Sequence, residues 1–391
     1  MRLLLFFLAV LAASAQAQTL DDLLFFGQRS PAVGPRLTAM GGAATAGLGD
    51  WDAAYANPAG LAYLRSAQAV ASAEAFVNEA DGFGRGFARD EEGVVLETVG
   101  YAAPLPVVRG ALAFGGGYHT TASYLRTTEA GGRDQRGRRE SGWQGAVSAA
   151  GAVALSPRLM GGLSVNAPVG RYERTSGPDG DFDGGFSTRD TELAGVNVRA
   201  GLSAALDYGL RLGLTVESPT WLRLDQQGED ETADGDIEIV DREVVMRTPW
   251  RVAVGFLAGS PAVLVSADVE VVDWGQARFL ADGDPDLLYE NAFADSYLRP
   301  VLNTRLGVEG LVGPVALRAG AAFQPDPRYV GPTPEVIRQT YAVGAGVNVH
   351  PQARLDVTLI HVRDDSVAPF PVGVEGHGTR NAVQVGVDVR F

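Results

Sequence analysis

The residues best suited to acid–base or metal chemistry in this chain are its four histidines, and their spacing argues against such a site. The histidines lie far apart in the sequence, and none follows a metal-binding or catalytic-triad spacing. The chain has no cysteine, so neither a thiolate nor a disulfide is available. No segment reads as a nucleophile elbow or a phosphate-binding loop. The sequence therefore predicts a protein that is not an enzyme, with no catalytic residues, no metal site and no cofactor. The histidines are His119, His350, His361 and His377.

A second distinctive feature is the turn Asn57-Pro58-Ala59-Gly60. It lies in the stretch "GDWDAAYANPAGLA" (49–62), which reads as neither a helix nor a strand. The stretch follows a segment rich in glycine and alanine and precedes the first strand pattern. The elements around it indicate what the turn is for.

The start of the chain has the features of an export signal. Met1-Arg2 is followed by an apolar run and by small residues at Ala15 and Ala17. We therefore expect a secretory signal peptide at residues 1–17. Beyond it, no apolar run approaches the ~18 residues that a membrane-spanning helix needs, but the alternating strands of a membrane barrel would escape that test.

The amino-acid composition argues against nucleic acid as a binding partner. The chain has 47 acidic and 32 basic residues and a formal charge of −15, so nucleic-acid phosphates would be repelled. It also has 50 glycines, which closely packed, twisted sheets tolerate better than helices do.

Apolar and polar residues alternate along most of the chain after Leu64, as expected for strands with two different faces. In the last segment, Val383, Val385, Val387, Val389 and Phe391 share one face. This pattern predicts fourteen strands, at 67–77, 94–103, 108–120, 142–154, 159–168, 190–206, 209–223, 239–257, 262–275, 300–310, 314–324, 338–349, 353–363 and 381–391.

The connections between these strands alternate between long and short. Those after odd-numbered strands are long, such as 121–141, whereas those after even-numbered strands are tight turns, such as 155–158. A soluble β-sandwich could show the same alternation of side chains but gives no reason for this segregation. Transmembrane barrels have short turns at one end and long loops at the other, so the sequence favours a 14-stranded antiparallel transmembrane β-barrel.

Residues 18–64 precede the first strand and are predicted to lie inside the barrel formed by residues 65–391. About eight strands already give a barrel filled by side chains, so a fourteen-stranded lumen is wider. We expect residues 18–64 to form a plug, or hatch, in that lumen.

The segment from Met40-Gly41-Gly42-Ala43 to Asn57-Pro58-Ala59-Gly60 resembles the N-terminal hatch of the FadL/TodX-type outer-membrane transporters of hydrophobic compounds. Segments such as "ESPTWLRLD" (217–225) and "TPWRVAVGF" (248–256) resemble that family in the same order. The resemblance implies a hatch inside a fourteen-stranded barrel, cargo binding in an apolar lumen pocket, and lateral release where the third strand kinks near the hatch turn.

Two further groups of residues are candidates by this resemblance. Gly115-Gly116-Gly117 lie in the predicted third strand and could mark the kink, although glycine runs also occur by chance in so glycine-rich a chain. Leu23, Leu24, Phe25 and Phe26 could contact an apolar ligand or simply pack against the wall.

The function implied is passive uptake of long-chain fatty acids or aromatic hydrocarbons across the outer membrane of a Gram-negative-type cell. The alternative is a related barrel that does not transport but acts as a docking or shuttle component in protein secretion. Besides the hydrophobic cargo, the expected partners are the barrel-assembly machinery, through the terminal Phe391, and lipopolysaccharide. Its phosphates could contact an arginine-rich loop, although that loop could equally be a solvated one. The arginines are Arg133, Arg136, Arg138 and Arg139.

Overall fold

A computed structural model of the chain describes residues 20–81, 86–89, 91–130, 136–178, 186–231, 235–260, 262–328, 336–364 and 377–391. The expected signal peptide, at residues 1–17, and Arg133 lie outside these described residues, and so do the side chains of Arg136 and Arg138.

The described strands form one closed antiparallel sheet. Its 19 hydrogen-bonded segments align as fourteen strands, because several strands are interrupted once along their length. The first strand pairs with the last from Gln68↔Arg390 to Asp81↔His377, which closes the barrel. The predicted fourteen-stranded fold is confirmed. In chain order the strands are β1 (Gln68–Asp81), β2 (Gly86–Arg89 and Glu91–Leu105), β3 (Leu112–Ser123 and Arg126–Ala130), β4 (Arg136–Ala154), β5 (Leu159–Pro178), β6 (Ser187–Ala205), β7 (Leu210–Glu217 and Trp221–Glu231), β8 (Ile237–Arg247 and Arg251–Gly259), β9 (Val263–Asp273 and Arg278–Phe279), β10 (Pro300–Val312), β11 (Val315–Pro325), β12 (Ile337–His350), β13 (Ala353–Asp364) and β14 (His377–Arg390).

The interruptions of β7 and β8 lie side by side and have a common cause. Pro219 and Pro249 have no N–H to donate to a ladder, so regular pairing stops at both. Thr220 and Thr248 maintain the connection, since the Thr220 N–H donates to the Thr248 hydroxyl at 2.9 Å and the Thr248 N–H donates to the Thr220 carbonyl at 3.0 Å.

The polarity of the barrel is the reverse of that of a soluble protein. On β14, Val383, Val385 and Val387 point outward and are 40–44% exposed, whereas the inward Ala382 and Gln384 are nearly fully buried. An apolar outer face is what lipid requires of a transmembrane barrel. None of the helices among the described residues is long and apolar enough to cross a membrane.

Residues 20–64, here called the N-terminal segment, lie within the barrel. Its elements are short, because glycines and small residues divide it into turns. Its backbone is held by inward-facing wall side chains: the Thr358 hydroxyl donates to the Pro35 carbonyl at 2.7 Å, and the Ser203 hydroxyl donates to the Ala46 carbonyl at 2.7 Å. The helices of this segment are α1 (Leu20–Gly27), α2 (Pro35–Ala39), α3 (Ala53–Ala56) and a 3-10 helix (Pro58–Tyr63).

One longer helix, α4 (Pro285–Tyr297), lies in the connection between β9 and β10. The Asp284 carboxylate caps its N-terminus by accepting from the Asp286 N–H at 2.9 Å. The inner side of α4 packs through Leu287 and Ala294 onto the same apolar cluster as α1, so α4 covers that side of the lumen. Short 3-10 turns also occur at Asp207–Gly209 and Trp274–Gln276.

Candidate functional site in the barrel lumen

The Asn57-Pro58 turn joins the N-terminal segment to the wall. Asn57 is fully buried, and its side-chain NH₂ donates to the Thr45 carbonyl at 2.5 Å and to the Leu202 carbonyl of β6 at 3.0 Å. Its side-chain oxygen accepts from the Ala59 N–H at 3.0 Å and so caps the 3-10 helix that Pro58 begins. The turn is therefore a polar connection between two parts of the N-terminal segment and one strand of the barrel.

A ring of inward-facing glycines lets the N-terminal segment approach the wall so closely. A Cβ on Gly201 would overlap the Asn57 side chain, and one on Gly162 would overlap the Pro58–Ala59 peptide. The same relationship recurs around the barrel, where glycines face the backbone or side chains of Pro35, Ala39, Met40, Gly41, Thr45 and Trp51. This belt consists of Gly100, Gly117, Gly162, Gly201, Gly213, Gly255, Gly307, Gly320, Gly344 and Gly386.

Trp51 explains the glycine run of the third strand. Its indole is 1% exposed and lies in a notch made by Gly100 of β2 and Gly117 of β3, where added Cβ atoms would collide with it. The indole N–H donates to the Gly116 carbonyl at 3.2 Å. Gly115, Gly116 and Gly117 are paired on both sides, with β2 and with β4, so the strand is continuous through them. The glycines accommodate the N-terminal segment, and the break in the wall comes after them.

The ladder between β2 and β3 is interrupted just beyond this notch. Regular pairing ends at Thr98↔His119 and resumes at Arg89↔Thr127, and residues 91–96 of β2 pair with β1 alone among the described residues. Within the interruption, the Thr120 hydroxyl donates to the Leu96 carbonyl at 2.6 Å. This side-chain hydrogen bond bridges the two strands where the regular ladder is interrupted.

The N-terminal segment and an irregular part of β3 meet at this interruption, where the register of β3 against β4 shifts between Thr120 and Ala122. The Ser30 N–H donates to the Thr121 carbonyl at 2.9 Å, and Tyr124 turns into the lumen, where it is 6% exposed. On the other side, the Asn78 side chain donates to the Leu125 carbonyl at 2.9 Å. A change in the N-terminal segment can therefore act directly on the backbone that borders the break.

An apolar cluster fills the lumen above the belt, on the side of β3–β10. Helix α1 contributes Leu23, Leu24 and Phe26, which are 0–4% exposed, and Phe25 packs against them. Two phenylalanines and two tyrosines form an aromatic group at its centre: Phe25, Phe26, Tyr124 and Tyr172. The Phe25 ring stacks on Tyr124 at 4.5 Å and contacts Tyr172 edge-on at 5.0 Å between centroids. The wall contributes Tyr124, Tyr172, Leu193, Leu222, Leu224, Val244, Met246, Val272, Trp274, Ala277, Phe279, Leu298 and Val301.

In this cluster the four predicted apolar residues of α1 lie against the wall, where several strands contribute apolar side chains to the lumen. Tyr124 and Tyr172 were not identified from the sequence, because they fall in stretches predicted to be long loops. The sequence did contain a signal for them, because each tyrosine lies shortly after the end of a predicted strand. The α1 residues therefore lie near the interrupted β2–β3 ladder, because they contact Tyr124. The Asn57 turn lies elsewhere, against β6.

A layer of buried charges lies between the cluster and the belt. Arg29 of the N-terminal segment donates to Glu217 at 2.6 Å and lies 3.5 Å from Glu270. Arg199 also donates to Glu217, and the Arg251 guanidinium donates to the Gly27 carbonyl at 2.8 Å. These bonds hold the start of the N-terminal segment to β6–β9.

A groove of about 1100 Å³ crosses β11–β14, β1 and β2 at one height. Its inward-facing Phe76 and Ile360 are 3% and 8% exposed, whereas its outward-facing Val94 and Val343 are 76% and 55% exposed. The groove therefore lies on the lipid-facing surface. It reaches β2 at Glu92–Val94, beside the interrupted ladder.

No protein-family model matches the sequence, and no curated protein matches it. Several solved structures do match. The toluene transporter TodX of P. putida is 14% identical with a TM-score of 0.65, and the toluene transporter TbuX of Ralstonia pickettii is 16% identical with a TM-score of 0.65. A FadL homologue of Pseudomonas aeruginosa is 13% identical with a TM-score of 0.66. Each alignment covers 93% of this chain and 99% of the other. The chain therefore has the fold of the FadL/TodX-type transporters, a fourteen-stranded barrel that contains its own N-terminal segment.

Proposed function

We propose that this chain is an outer-membrane protein for passive uptake of hydrophobic molecules, which bind in the apolar cluster of the lumen and leave sideways between β2 and β3. One observation carries the proposal: Tyr124 belongs to the apolar cluster and also lies between the two segments of β3, at the interrupted ladder. The apolar site and the interrupted ladder between β2 and β3 are therefore contiguous.

The route along the barrel axis is closed by the N-terminal segment, which we propose acts as a hatch. It makes close contacts with glycines on ten strands at that level. The cavities recorded there measure about 20–50 Å³, enough for a few water molecules. An apolar cargo that entered from the loop end would have to leave above the belt.

Sideways release also suits the chemistry of such cargo. Each methylene that passes from an apolar site into water costs ~0.8 kcal/mol, so a water-filled route would oppose release of a long chain or an alkylbenzene. Delivery into lipid through the wall avoids that cost. The lipid-facing groove ends at Glu92–Val94, so the break opens beside an apolar surface.

In this structure α1 occupies the apolar cluster. Leu23, Leu24 and Phe26 fill the space between Tyr124, Tyr172 and the walls of β6–β10. We infer that cargo competes with these side chains for the same apolar surface. The aromatic lining suits flat rings, since aromatic pairs gain about 0.5–1.5 kcal/mol beyond their buried area. The named neighbours TodX and TbuX are toluene transporters, which supports an aromatic or other neutral apolar cargo.

The exported location and the assembly partner belong to the same proposal. Phe391 follows β14, and its N–H donates to the carbonyl of Ala67, the residue before β1, at 3.0 Å. We propose that it serves as the recognition end for barrel assembly. Arg139, the one arginine of the predicted lipopolysaccharide loop whose side chain is described, is exposed, as a contact with lipid phosphates would require.

The experiment is ligand identification followed by titration. The detergent-extracted barrel is examined by mass spectrometry for co-purifying apolar molecules, and then titrated with toluene and with a long-chain fatty acid while tryptophan emission is recorded. A stoichiometric apolar ligand is expected, as is saturable binding. A barrel that binds neither probe but co-purifies with a secreted protein would contradict uptake and support the docking alternative.

A further inference from the structure

A cavity of about 20 Å³ lies in the charged layer, between the N-terminal segment and the inner wall. This volume holds one particle about the size of a water molecule. Six charged side chains line it: Arg29, Arg199, Arg251, Arg305, Glu217 and Glu270.

The charges around this cavity do not balance. Four guanidiniums face two carboxylates in the lining. A third carboxylate, Asp268, is the cross-strand partner of Arg305, so the net charge is 4 − 3 = +1. One Asp268 oxygen accepts from the Ala44 and Thr45 N–H groups, both at 2.8 Å, and from the Thr45 hydroxyl at 2.7 Å. The five wall residues of this charged lining, Arg199, Arg251, Arg305, Glu217 and Glu270, are each at least nine-tenths buried. An uncompensated buried charge is strongly unfavourable.

The two carboxylates are shared by several cations. Glu217 accepts from Arg29 at 2.6 Å and from Arg199 at 2.7 Å. Glu270 accepts from Arg305 at 3.0 Å and lies 3.5 Å from the Arg251 guanidinium. Within the described lining of the cavity, therefore, no arginine has a carboxylate to itself.

Arg305 presents an unused donor. Its side chain lines the cavity and the residue is 7% exposed, but its Nε–H has no hydrogen-bond partner among the described residues. A buried guanidinium N–H without an acceptor costs about 1–3 kcal/mol, so an acceptor in the cavity would be stabilising.

We propose that this cavity binds one small monovalent anion, of the size of chloride. A water molecule could accept from the Arg305 Nε–H but would leave the charge unbalanced. A halide ion accepts from this N–H and also balances the charge. A carboxylate or sulfate is too large for a space of one particle. The bound anion joins Arg305 of β10 and Arg251 of β8 to Arg29, and so fixes the N-terminal segment to the wall.

The first test is crystallographic. Crystals of the full barrel grown with sodium bromide in place of chloride are measured at the bromine absorption edge. One anomalous peak is expected among Arg29, Arg251 and Arg305. Ordinary water density there, with bromide peaks only elsewhere on the molecule, would overturn the proposal.

A pair of variants tests which arginine binds the anion. Arg305→Gln removes the free donor and one positive charge, and should abolish the peak, whereas Arg223→Gln, at an outward-facing arginine that is 53% exposed, should keep it. The unfolding midpoint of the wild-type barrel should rise with bromide but not with sulfate at equal ionic strength, because only the bound anion stabilises the fold. Equal effects of the two salts, or a peak that survives in Arg305→Gln, would contradict the site.

Discussion

The Trp51 indole occupies the space that a side chain on Gly100 would need, so the N-terminal segment and β2 fit only because position 100 has no Cβ. Gly100→Ala must displace the indole or the strand. Overpacking of this kind costs about 1–3 kcal/mol, and we expect a lower unfolding midpoint together with leakage of small hydrophilic solutes. Liposome swelling and heat-modifiability on gels measure the two effects.

Gly310→Ala is the matched control for this variant. It is also a barrel glycine, on β10, but an added Cβ there meets no atom within 4 Å. It should leave both measurements unchanged. Equal leakage from the two alanine variants would show that glycine content in general, and not the contact with Trp51, keeps the barrel closed.

Asn57→Ala tests the polar connection between the N-terminal segment and β6. The substitution leaves the Thr45 and Leu202 carbonyls without their donor and removes the cap of the 3-10 helix. Each unsatisfied buried group costs about 1–3 kcal/mol, so we expect impaired uptake from a barrel that still assembles and shifts on heating. The double change of Asn57 and Pro58 to Ala should act in the same direction. Asn348→Ala, at an exposed position of β12, is the control, and normal uptake by the Asn57 variant would refute this role.

Tyr124→Ala tests the aromatic part of the lumen site. The ring stacks on Phe25 at 4.5 Å, and its hydroxyl donates to Gln144 at 2.5 Å. Loss of the ring should weaken toluene binding by roughly tenfold, the equivalent of about 1.4 kcal/mol, whereas Tyr124→Phe should retain the affinity. Isothermal titration distinguishes the two variants. An unchanged Kd for Tyr124→Ala would place the cargo elsewhere.

Asp52 gives the N-terminal segment a pH dependence. Burial, and then the neighbouring Asp50 carboxylate, raise the pKa of Asp52 well above its usual value; Arg36 opposes the shift, and Glu97 and Asp388 add to it. The folded state therefore favours the protonated acid. Its stability contribution is complete below the unfolded pKa of about 3.9 and is lost as the pH rises through the folded pKa.

Asp52→Asn removes this dependence. The variant should have a higher unfolding midpoint than the wild type at neutral pH, and the difference should vanish towards about pH 4. Thermal scans at several pH values provide the measurement, with Asp207→Asn, at a largely exposed side chain of a turn, as the control. A lower midpoint for Asp52→Asn at neutral pH would show that the ionised carboxylate is needed.

The fourteen strands were predictable because their side chains must alternate between lipid and lumen. β14 illustrates this, with valines outward and Ala382, Gln384 and Gly386 inward. Strand ends were less predictable: β5 was expected to end at residue 168 and extends to Pro178. Beyond the apolar band both faces of a strand are polar, as at Arg171, which pairs with Asp190, so alternation no longer marks the strand.

The lumen site was predictable only in part. The small residues of the N-terminal segment indicated close packing, but which glycines face inward at one height depends on the register of every strand. The glycine run at residues 115–117 precedes the interrupted stretch at Thr120–Leu125, where no residue type indicates an interruption. Long-range pairing decides both features, and a single sequence does not encode pairing in a local pattern.

The central claim, sideways release between β2 and β3, can be tested by holding the wall closed. The chain has no cysteine, so Leu96→Cys with Thr120→Cys introduces the only reactive pair, across the interruption that one hydrogen bond now bridges. The control pair is Val271→Cys with Leu302→Cys, outward-facing neighbours on the regularly paired β9 and β10. Uptake of radiolabelled toluene into cells is measured before and after a cleavable crosslinker is added. We expect the crosslink at 96 and 120 to stop uptake and its cleavage to restore it, while the control pair has no effect. Full uptake through the crosslinked wall would contradict the account.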